Sequence, residues 1–292
     1  MTWSFLYVKP SLRHVLSQEI SMKISVRSHA VPKGSRRGTK LQSEDAFCHN
    51  DPNERPFIAA VADGHGDSKQ NVSTSELAAL VARMLCDRKI LDVAALCDII
   101  QETIEDDFAA CKSGAVATRV LIDEGGFQVM CVGDVRLYRF IPEGEGDFEQ
   151  ITIDHHPGNP AECERLEPLL YHPQMNPKGK YLFFPIGSEH PTRIMGGSCA
   201  IMVTRSFGDP EMRPALISDP GVCFAPLDTN VRHVFALCSD GGADIVERAF
   251  VAARELSFAS LEEFLHLVQI HTPPDPRDDV TILLIELTPD TP

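Results

Sequence analysis

Residues 57–67 read FIAAVADGHGD, a run of six apolar residues that ends at an aspartate followed by glycine. An unbroken apolar run of this length is typical of a buried strand, and the Asp-Gly that follows it predicts a loop. We therefore expect a strand over 57–62 that leads into a loop at Asp63. A carboxylate at the end of a rigid strand is held in a fixed position, which makes Asp63 a first candidate for chemistry.

Four other aspartates have a similar setting beside apolar strands. Asp134, Asp240 and Asp278 lie at strand ends, and Asp45 stands just before an alanine and a phenylalanine. Partly buried carboxylates that come together repel one another unless a cation neutralises them, and all-oxygen ligation suits Mg²⁺ or Mn²⁺. Aspartate is also a common turn former in any fold, so spacing alone leaves both interpretations open.

The rest of the chain mixes helices and strands. Apolar stripes at helical spacing and capping boxes predict helices over 73–88, 92–110, 244–256 and 260–271. Strands are predicted near 22–26, 116–122, 127–133, 199–204, 231–238 and 280–287, with 136–140 continuing the strand that ends at 133. The segment 157–197, rich in proline and glycine, is expected to be a long surface excursion.

The composition argues against nucleic-acid and membrane binding. The chain has 42 acidic and 27 basic residues and a formal net charge of −15, whereas nucleic-acid binding needs clustered Lys and Arg. No stretch approaches the roughly 18 consecutive apolar residues of a membrane span. Nine cysteines include no Cys-x-x-Cys pair, which argues against a zinc site or a disulfide framework and favours reduced thiols in an intracellular protein.

The first forty residues have a composition of their own. They hold eight Lys and Arg, seven Ser and a single acid, Glu19, which is similar to a transit peptide. However, Met22, Ile24 and Val26 alternate as in a strand, so part of this segment is expected to belong to the fold. We expect an intracellular location, cytoplasmic or nuclear, with organellar import left open.

Eight segments follow one another in a set order: QSEDAF (42–47), VADGHGD (61–67), SGAVATRVLI (113–122), VGDVRLYRF (132–140), DHHPGNPAECERLE (154–167), VTRSFGDPEM (203–212), LCSDGGAD (237–244) and RDDVT (277–281). Together they resemble the metal-dependent protein phosphatases of the type 2C family. One such motif is weak evidence, but eight in the right order are highly specific.

The resemblance implies an α+β fold, a central antiparallel β-sandwich flanked by helices on both sides, with metals at one end. It runs from about residue 22 to the C-terminus, which leaves 1–21 as an N-terminal extension and 22–292 as a type 2C-like phosphatase domain. It also implies two Mg²⁺ or Mn²⁺ ions per chain, with a third in some members. Phosphoserine and phosphothreonine proteins are the implied substrates, hydrolysed by direct attack of a metal-bridging water, and we expect a monomer.

The resemblance assigns site residues position by position. Metal ligands are implied at Asp45, Asp63, the backbone carbonyl of Gly64, Asp240 and Asp278. A water-mediated or third-metal role is implied at Glu44, Asp134 and Asp244.

Two further residues are implied in catalysis. His65 resembles the family's proposed general acid, and an imidazole titrates near the working pH. Lys40 stands where the family commonly has an arginine that grips the substrate phosphate. Lysine offers a point charge in place of a planar two-donor fork, so we expect the phosphate to be held more loosely. By contrast, His155 and His156 are interpreted as ordinary surface histidines.

Other positions also depart from the family pattern. Asp67 replaces the second glycine of the usual DGHGG motif, LCSDGGAD lacks bulky residues between its aspartates, and Asp279 replaces an asparagine. With Lys40, these departures leave an alternative, a catalytically weak type 2C-like protein that binds and regulates a partner. The complete carboxylate set favours the enzyme, because a degenerate binding module would be expected to lose ligands.

Overall fold

Two antiparallel sheets face each other across a shared apolar core. The structure, a computed structural model, describes residues 22–33, 43–66, 74–87, 92–108, 112–123, 125–142, 148–171, 181–183, 194–196, 199–256 and 259–289. Lys40 and Asp67 therefore lie outside the described residues.

The first sheet contains, in spatial order, β1 (Met22–Val31), β14 (Val280–Pro289), β13 (His233–Cys238), β6 (Arg136–Phe140) and β7 (Phe148–Gln150). The second contains β12 (Gly221–Ala225), β5 (Gly126–Val132), β4 (Gly114–Asp123), β3 (Phe57–His65) and β2 (Asp45–His49), with β11 (Phe207–Gly208) pairing β4. A small three-stranded sheet is made of β8 (Tyr181–Phe183), β9 (Ile194–Gly196) and β10 (Cys199–Ile201).

Apolar side chains fill three layers. Between the sheets, Phe127 of β5 meets Phe235 of β13 edge to face, with ring centroids 5.0 Å apart. Helices α1 (Thr74–Leu85) and α2 (Val93–Asp107) cover the outer face of the second sheet. Helices α4 (Asp240–Leu256) and α5 (Leu261–His271) cover the outer face of the first. The sandwich with helices on both sides is thus confirmed. Among the described residues, no helix combines the length and apolar content that a membrane span requires.

Most of the predicted elements are present with shifted ends. Asp92 caps α2 by accepting the N–H groups of Ala94 and Ala95, and Ser260 caps α5 by accepting that of Glu263. Strand β3 runs three residues further than predicted, so Asp63, Gly64 and His65 lie in the strand and not in a loop. The reason is that β4 continues to pair with them, with His65 opposite Gly114.

Two predictions were wrong. Residues 136–140 do not continue β5 but form β6 in the opposite sheet, because the chain turns at Gly133, which has φ +102°. The segment 157–197, expected as a surface excursion, contains helix α3 (Pro160–Tyr171) in its described part, whereas 172–180, 184–193 and 197 lie outside the described residues. Its residues Leu166 and Leu169 pack on Met212 and its neighbours, a partner that is distant in sequence.

Helix α4 begins four residues before the predicted start. Gly241 and Gly242 lie in its first turn, where side chains would collide with the first sheet. A Cβ at Gly241 would stand 2.1 Å from the carbonyl oxygen of Asp279, and one at Gly242 would stand 2.9 Å from Ile282. The glycines therefore let the helix start directly at Asp240 and bring that carboxylate to the end of the sandwich.

Candidate active site

Asp45 and Asp63 lie directly opposite each other in the pairing of β2 with β3. Both carboxylate oxygens of Asp45 are buried and have no hydrogen-bond partner of good geometry, although Ser239, Asp63 and Thr281 are close. Burial raises the pKa of Asp45 to about 6. An unpaired buried carboxylate is costly, so these oxygens are available to a cation.

Two more carboxylates face this pair. Burial raises the pKa of Asp63 well above its usual range, and the charges of Asp45, Asp240 and Asp134 add to the effect. Burial and the nearby Asp240 raise the pKa of Asp134 to about 7. The pKa of Asp240 is raised by burial and by Asp278. The end of the sandwich thus concentrates partly buried carboxylates that repel one another.

Lys33 is a cation at the rim of this cluster. Its Nζ lies 2.7 Å from Oε2 of Glu44 and 3.7 Å from Oδ1 of Asp278. The hydroxyl of Thr74, at the start of α1, donates to the other oxygen of Glu44 at 2.8 Å. Glu44 therefore has partners on both oxygens, unlike Asp45.

Asp279 links the two sheets next to the site. It is buried, and its carboxylate accepts the backbone N–H of Lys33 at 2.6 Å and that of Glu44 at 2.7 Å. The end of β1 and the start of β2 are thereby held together. The sequence marked Asp279 as a departure from the family but gave no indication of this role, because its partners are backbone groups more than 230 positions away.

Gly64 allows three segments to approach closely. Its N–H donates to the carbonyl of Glu44 at 3.0 Å. A Cβ at this position would lie 2.5 Å from the carbonyl oxygen of Thr74 and 2.9 Å from that of Glu44. Any side chain here would push α1 and the start of β2 away from β3, so glycine is required.

His65 is paired with an aspartate to which the sequence assigned no role. Its Nε2 lies 2.7 Å from Oδ2 of Asp209, which also accepts the hydroxyl of Ser206 at 2.6 Å. Burial opposes a charged imidazole, but the Asp209 carboxylate, with Asp134 and Glu44, outweighs it and raises the pKa of His65.

The backbone around this pair is unusual. Asp209 has φ +51°, in the left-handed region that non-glycine residues rarely adopt. A Cβ on Gly114 would stand 2.0 Å from Oδ2 of Asp209 and 2.6 Å from Nε2 of His65. The only sequence signal for Asp209 was its place in the segment VTRSFGDPEM, and its partner lies on a different strand.

His155 is buried and not a surface residue, contrary to the prediction. Its Nδ1 accepts the N–H of Gly133 at 3.2 Å, and its carbonyl accepts the N–H of Thr204. Burial, helped by the charge of Arg205, lowers the pKa of His155 to about 4. The ring supports the turn that precedes Asp134. His156 is exposed, as predicted.

Asp244, a candidate for a third metal, lies at the surface. Asp244 is exposed on α4, where its backbone carbonyl accepts Nε of Arg248 at 3.1 Å. In the described part of the chain, no three carboxylates, imidazoles or thiols stand close enough to form a complete metal-binding cage. The ligand roles of Asp45, Asp63, Gly64, Asp240 and Asp278 therefore stay predictions.

The chemistry of the cluster nevertheless fits a hard divalent cation. The donors are carboxylate oxygens, which Mg²⁺ and Mn²⁺ prefer. Asp45 has two buried oxygens without a hydrogen-bond partner of good geometry. The pKa values of Asp63, Asp134 and Asp240 are raised by burial and by repulsion from neighbouring carboxylates. A bound cation would give the buried oxygens of Asp45 a partner and would offset the repulsion between the carboxylates.

Comparison with known proteins identifies the family to which this chain belongs. The family model of Protein phosphatase 2C matches residues 28–252. The chain belongs to the protein phosphatase 2C family, and its two sheets, flanking helices and carboxylate-rich end are consistent with that assignment.

Relatives support the fold across most of the chain. The rice protein "Probable protein phosphatase 2C 74" (Oryza sativa subsp. japonica) is 25% identical over 273 residues, covering 87% of this chain. This chain spans 64% of the length of that relative. The serine-threonine phosphatase 2C of Toxoplasma gondii has a TM-score of 0.62 at 16% identity, covering 91% of this chain and 95% of its own. Stp1 of Staphylococcus aureus has a TM-score of 0.62 at 17% identity, covering 93% and 98%.

Proposed function

We propose that this protein is an active metal-dependent phosphatase that hydrolyses phosphomonoesters on protein serine and threonine. The observation that carries the proposal is the set of desolvated carboxylates around Asp45 and Asp63. Two proteins of the same fold carry the names of serine/threonine phosphatases. Another protein of this fold, RsbX, has a structure in complex with magnesium at a TM-score of 0.54.

The metal-holding role falls to this chain's own carboxylates. We propose that Asp45, Asp63, Asp240 and Asp278, with the carbonyl of Gly64, hold two Mg²⁺ or Mn²⁺ ions. Glu44 supports them from the rim, and Asp134 with Asp244 is the candidate for a third. When bound, such ions supply Lewis-acid chemistry that activates water and offsets the phosphate charge.

His65 supplies the proton that the leaving group needs. Cleavage of a phosphoserine or phosphothreonine ester leaves an alkoxide, which must take up a proton as the P–O bond breaks. Asp209 engages Nε2 of the ring at 2.7 Å. Nδ1 is consequently the atom that donates, and the Asp209 carboxylate stabilises the protonated imidazole before the transfer.

The test is release of inorganic phosphate from a phosphothreonine peptide by the purified chain. We expect turnover with Mn²⁺ or Mg²⁺, none in excess chelator, and none in Asp63→Asn under any condition. A rate that is unchanged in excess chelator would contradict the metal-dependent mechanism. Absence of turnover with either metal, in a protein that still binds the peptide, would support the regulatory alternative.

A further inference from the structure

Two cysteine thiols are neighbours on the face of the second sheet that α1 covers. Cys48 lies on the edge strand β2, and Cys86 follows the last residue of α1. Cys48 is opposite Ala60 in the strand pairing, and the thiol of Cys86 contacts the backbone of the same Ala60. Both side chains pack against the same apolar cluster between α1 and the second sheet, and both residues are partly exposed.

A buried arginine lies behind this pair. Arg119 is on β4, opposite Ala60, and is 1% exposed. None of its three guanidinium nitrogens has a hydrogen-bond partner. The groups whose charge acts on it are Cys86, Cys97 and Asp87. A buried cation without hydrogen bonds is costly, so negative charge on its neighbours is favoured. The carboxylate of Asp87 and the sulfur of Cys86 are both among those neighbours.

The electrostatics of the pair agree with that geometry. The hydrogen bond from Cys86 lowers the pKa of Cys48 to about 6, and His49 and Arg83 act in the same direction. The pKa of Cys86 is raised, first because its thiol donates the hydrogen bond to Cys48 and is largely buried, and then because losing this proton would place two negative sulfurs together. At neutral pH the pair therefore holds one thiolate and one thiol side by side, which is the arrangement that oxidation to a disulfide requires.

We propose that Cys48 and Cys86 are an oxidisable dithiol that forms a reversible disulfide on exposure to a peroxide. The thiolate attacks one oxygen of hydrogen peroxide, the O–O bond breaks, and the released hydroxide takes up a proton to leave as water. The sulfur is then a sulfenic acid. The neighbouring thiol attacks it, an S–S bond forms, and a second water leaves. Two thiols are oxidised and one peroxide is reduced to two waters.

The bond would connect two elements that contribute to the candidate active site. Strand β2 begins at Asp45, and α1 begins at Thr74, which hydrogen-bonds Glu44. The proposal itself does not depend on phosphatase activity, since it concerns thiols on the helix-covered face.

The test is peptide mapping of the purified chain after hydrogen peroxide treatment and alkylation of the remaining thiols. We expect a peptide cross-linked through Cys48 and Cys86 that disappears on treatment with dithiothreitol. Cys131→Ser, at a buried thiol on β5, should form the cross-link like the natural chain, whereas Cys48→Ser should not. Free Cys48 and Cys86 after treatment, oxidation of one sulfur without a cross-link, or a bond between two chains would each overturn the proposal.

A second variant tests the role of the guanidinium. Arg119→Met removes the charge and keeps a similar apolar stem, so the thiolate should be less populated. Cross-link formation at pH 7 is expected to slow by about tenfold. An unchanged rate in a folded Arg119→Met protein would show that the arginine does not activate the pair.

Discussion

The imidazole Nε2 of His65 lies 2.7 Å from a carboxylate oxygen of Asp209, a residue 144 positions later in the chain. Gly114 explains how they meet. It pairs with His65 in the contact of β3 with β4 and with Gly208 in the contact of β11 with β4. Because Gly114 has no side chain, the two partners can pass over it and touch.

Asp209→Asn should impair the hydrolysis of phosphothreonine peptides more than that of nitrophenyl phosphate. The asparagine keeps the shape but removes the charge that stabilises a protonated His65, so proton donation weakens. We expect kcat to fall by about 10- to 100-fold on the peptide, within the range of general acid catalysis. Nitrophenolate leaves without a proton, so its kcat should fall by less than about threefold. Steady-state kinetics on both substrates provides the comparison.

His65→Gln is the matched variant for this prediction. It should show the same dependence on the leaving group, and adding Asp209→Asn to it should cause little further loss, because the aspartate acts through the imidazole. Equal losses on the two substrates would instead point to a structural role for Asp209.

Asp279→Asn should destabilise the fold although it restores the residue usual in the family. The carboxylate accepts two backbone N–H groups, at 2.6 and 2.7 Å. Asparagine has one acceptor oxygen, so one N–H would face an amide donor. We expect the free energy of unfolding to fall by about 2 kcal/mol, the cost of a buried unsatisfied group. Urea denaturation without divalent cations measures it.

Asp278→Asn is the control for Asp279→Asn, since its side chain is 57% exposed. Its effect should stay within about 0.5 kcal/mol, as for most surface substitutions. The explanation given for Asp279 fails if the two variants have the same stability.

His155 should make the fold sensitive to mild acid. Its pKa is lowered to about 4 in the folded chain, so the unfolded chain binds a proton first as the pH falls below 6.5. Stability is fully present above pH 6.5 and is lost towards pH 4. We expect this residue to account for about 3 kcal/mol of that loss. Urea denaturation at each pH from 7 to 4 measures the free energy of unfolding. This free energy should depend less on pH in His155→Asn, whereas in His156→Asn, a variant of the exposed neighbour, it should follow that of the natural chain.

Lys40→Arg should increase phosphatase efficiency. This prediction comes from the sequence, because position 40 lies outside the described residues. Arginine can donate two parallel hydrogen bonds to a phosphate, whereas lysine donates from one rotating ammonium. We expect kcat/KM on a phosphothreonine peptide to rise by about tenfold, which corresponds to ~1.4 kcal/mol. An unchanged or lower value, with normal Mn²⁺ binding, would favour the regulatory alternative.

The spacing of apolar residues predicted the elements correctly wherever a helix packs one face against a sheet. The stripe of Leu77, Val81 and Leu85 is buried against the second sheet, and the Ser260 cap starts α5 as predicted. In such elements the pattern is local, so neighbouring residues contain the whole signal. The β-sandwich was predicted from the family motifs, because the spacing of apolar residues alone did not define it.

The predictions failed where a distant partner decides the structure. Strand β3 continues through Asp63 because β4 pairs with it, and 136–140 joins the other sheet because β13 is there to receive it. Asp209 and Asp279 contact groups more than 100 positions away. No local pattern contains that information, since strand pairing brings these groups together only in the folded chain.

The most direct test of the central claim is calorimetric titration of Mn²⁺ into the metal-free protein. The proposed function predicts binding of about two ions per chain. Asp63→Asn should weaken this binding at least about 100-fold, because it removes a carboxylate from the centre of the cluster. Asp106→Asn, at an exposed aspartate of α2, should bind as the natural chain does. Binding by Asp63→Asn with the natural stoichiometry and affinity, or no binding by the natural chain, would contradict the account.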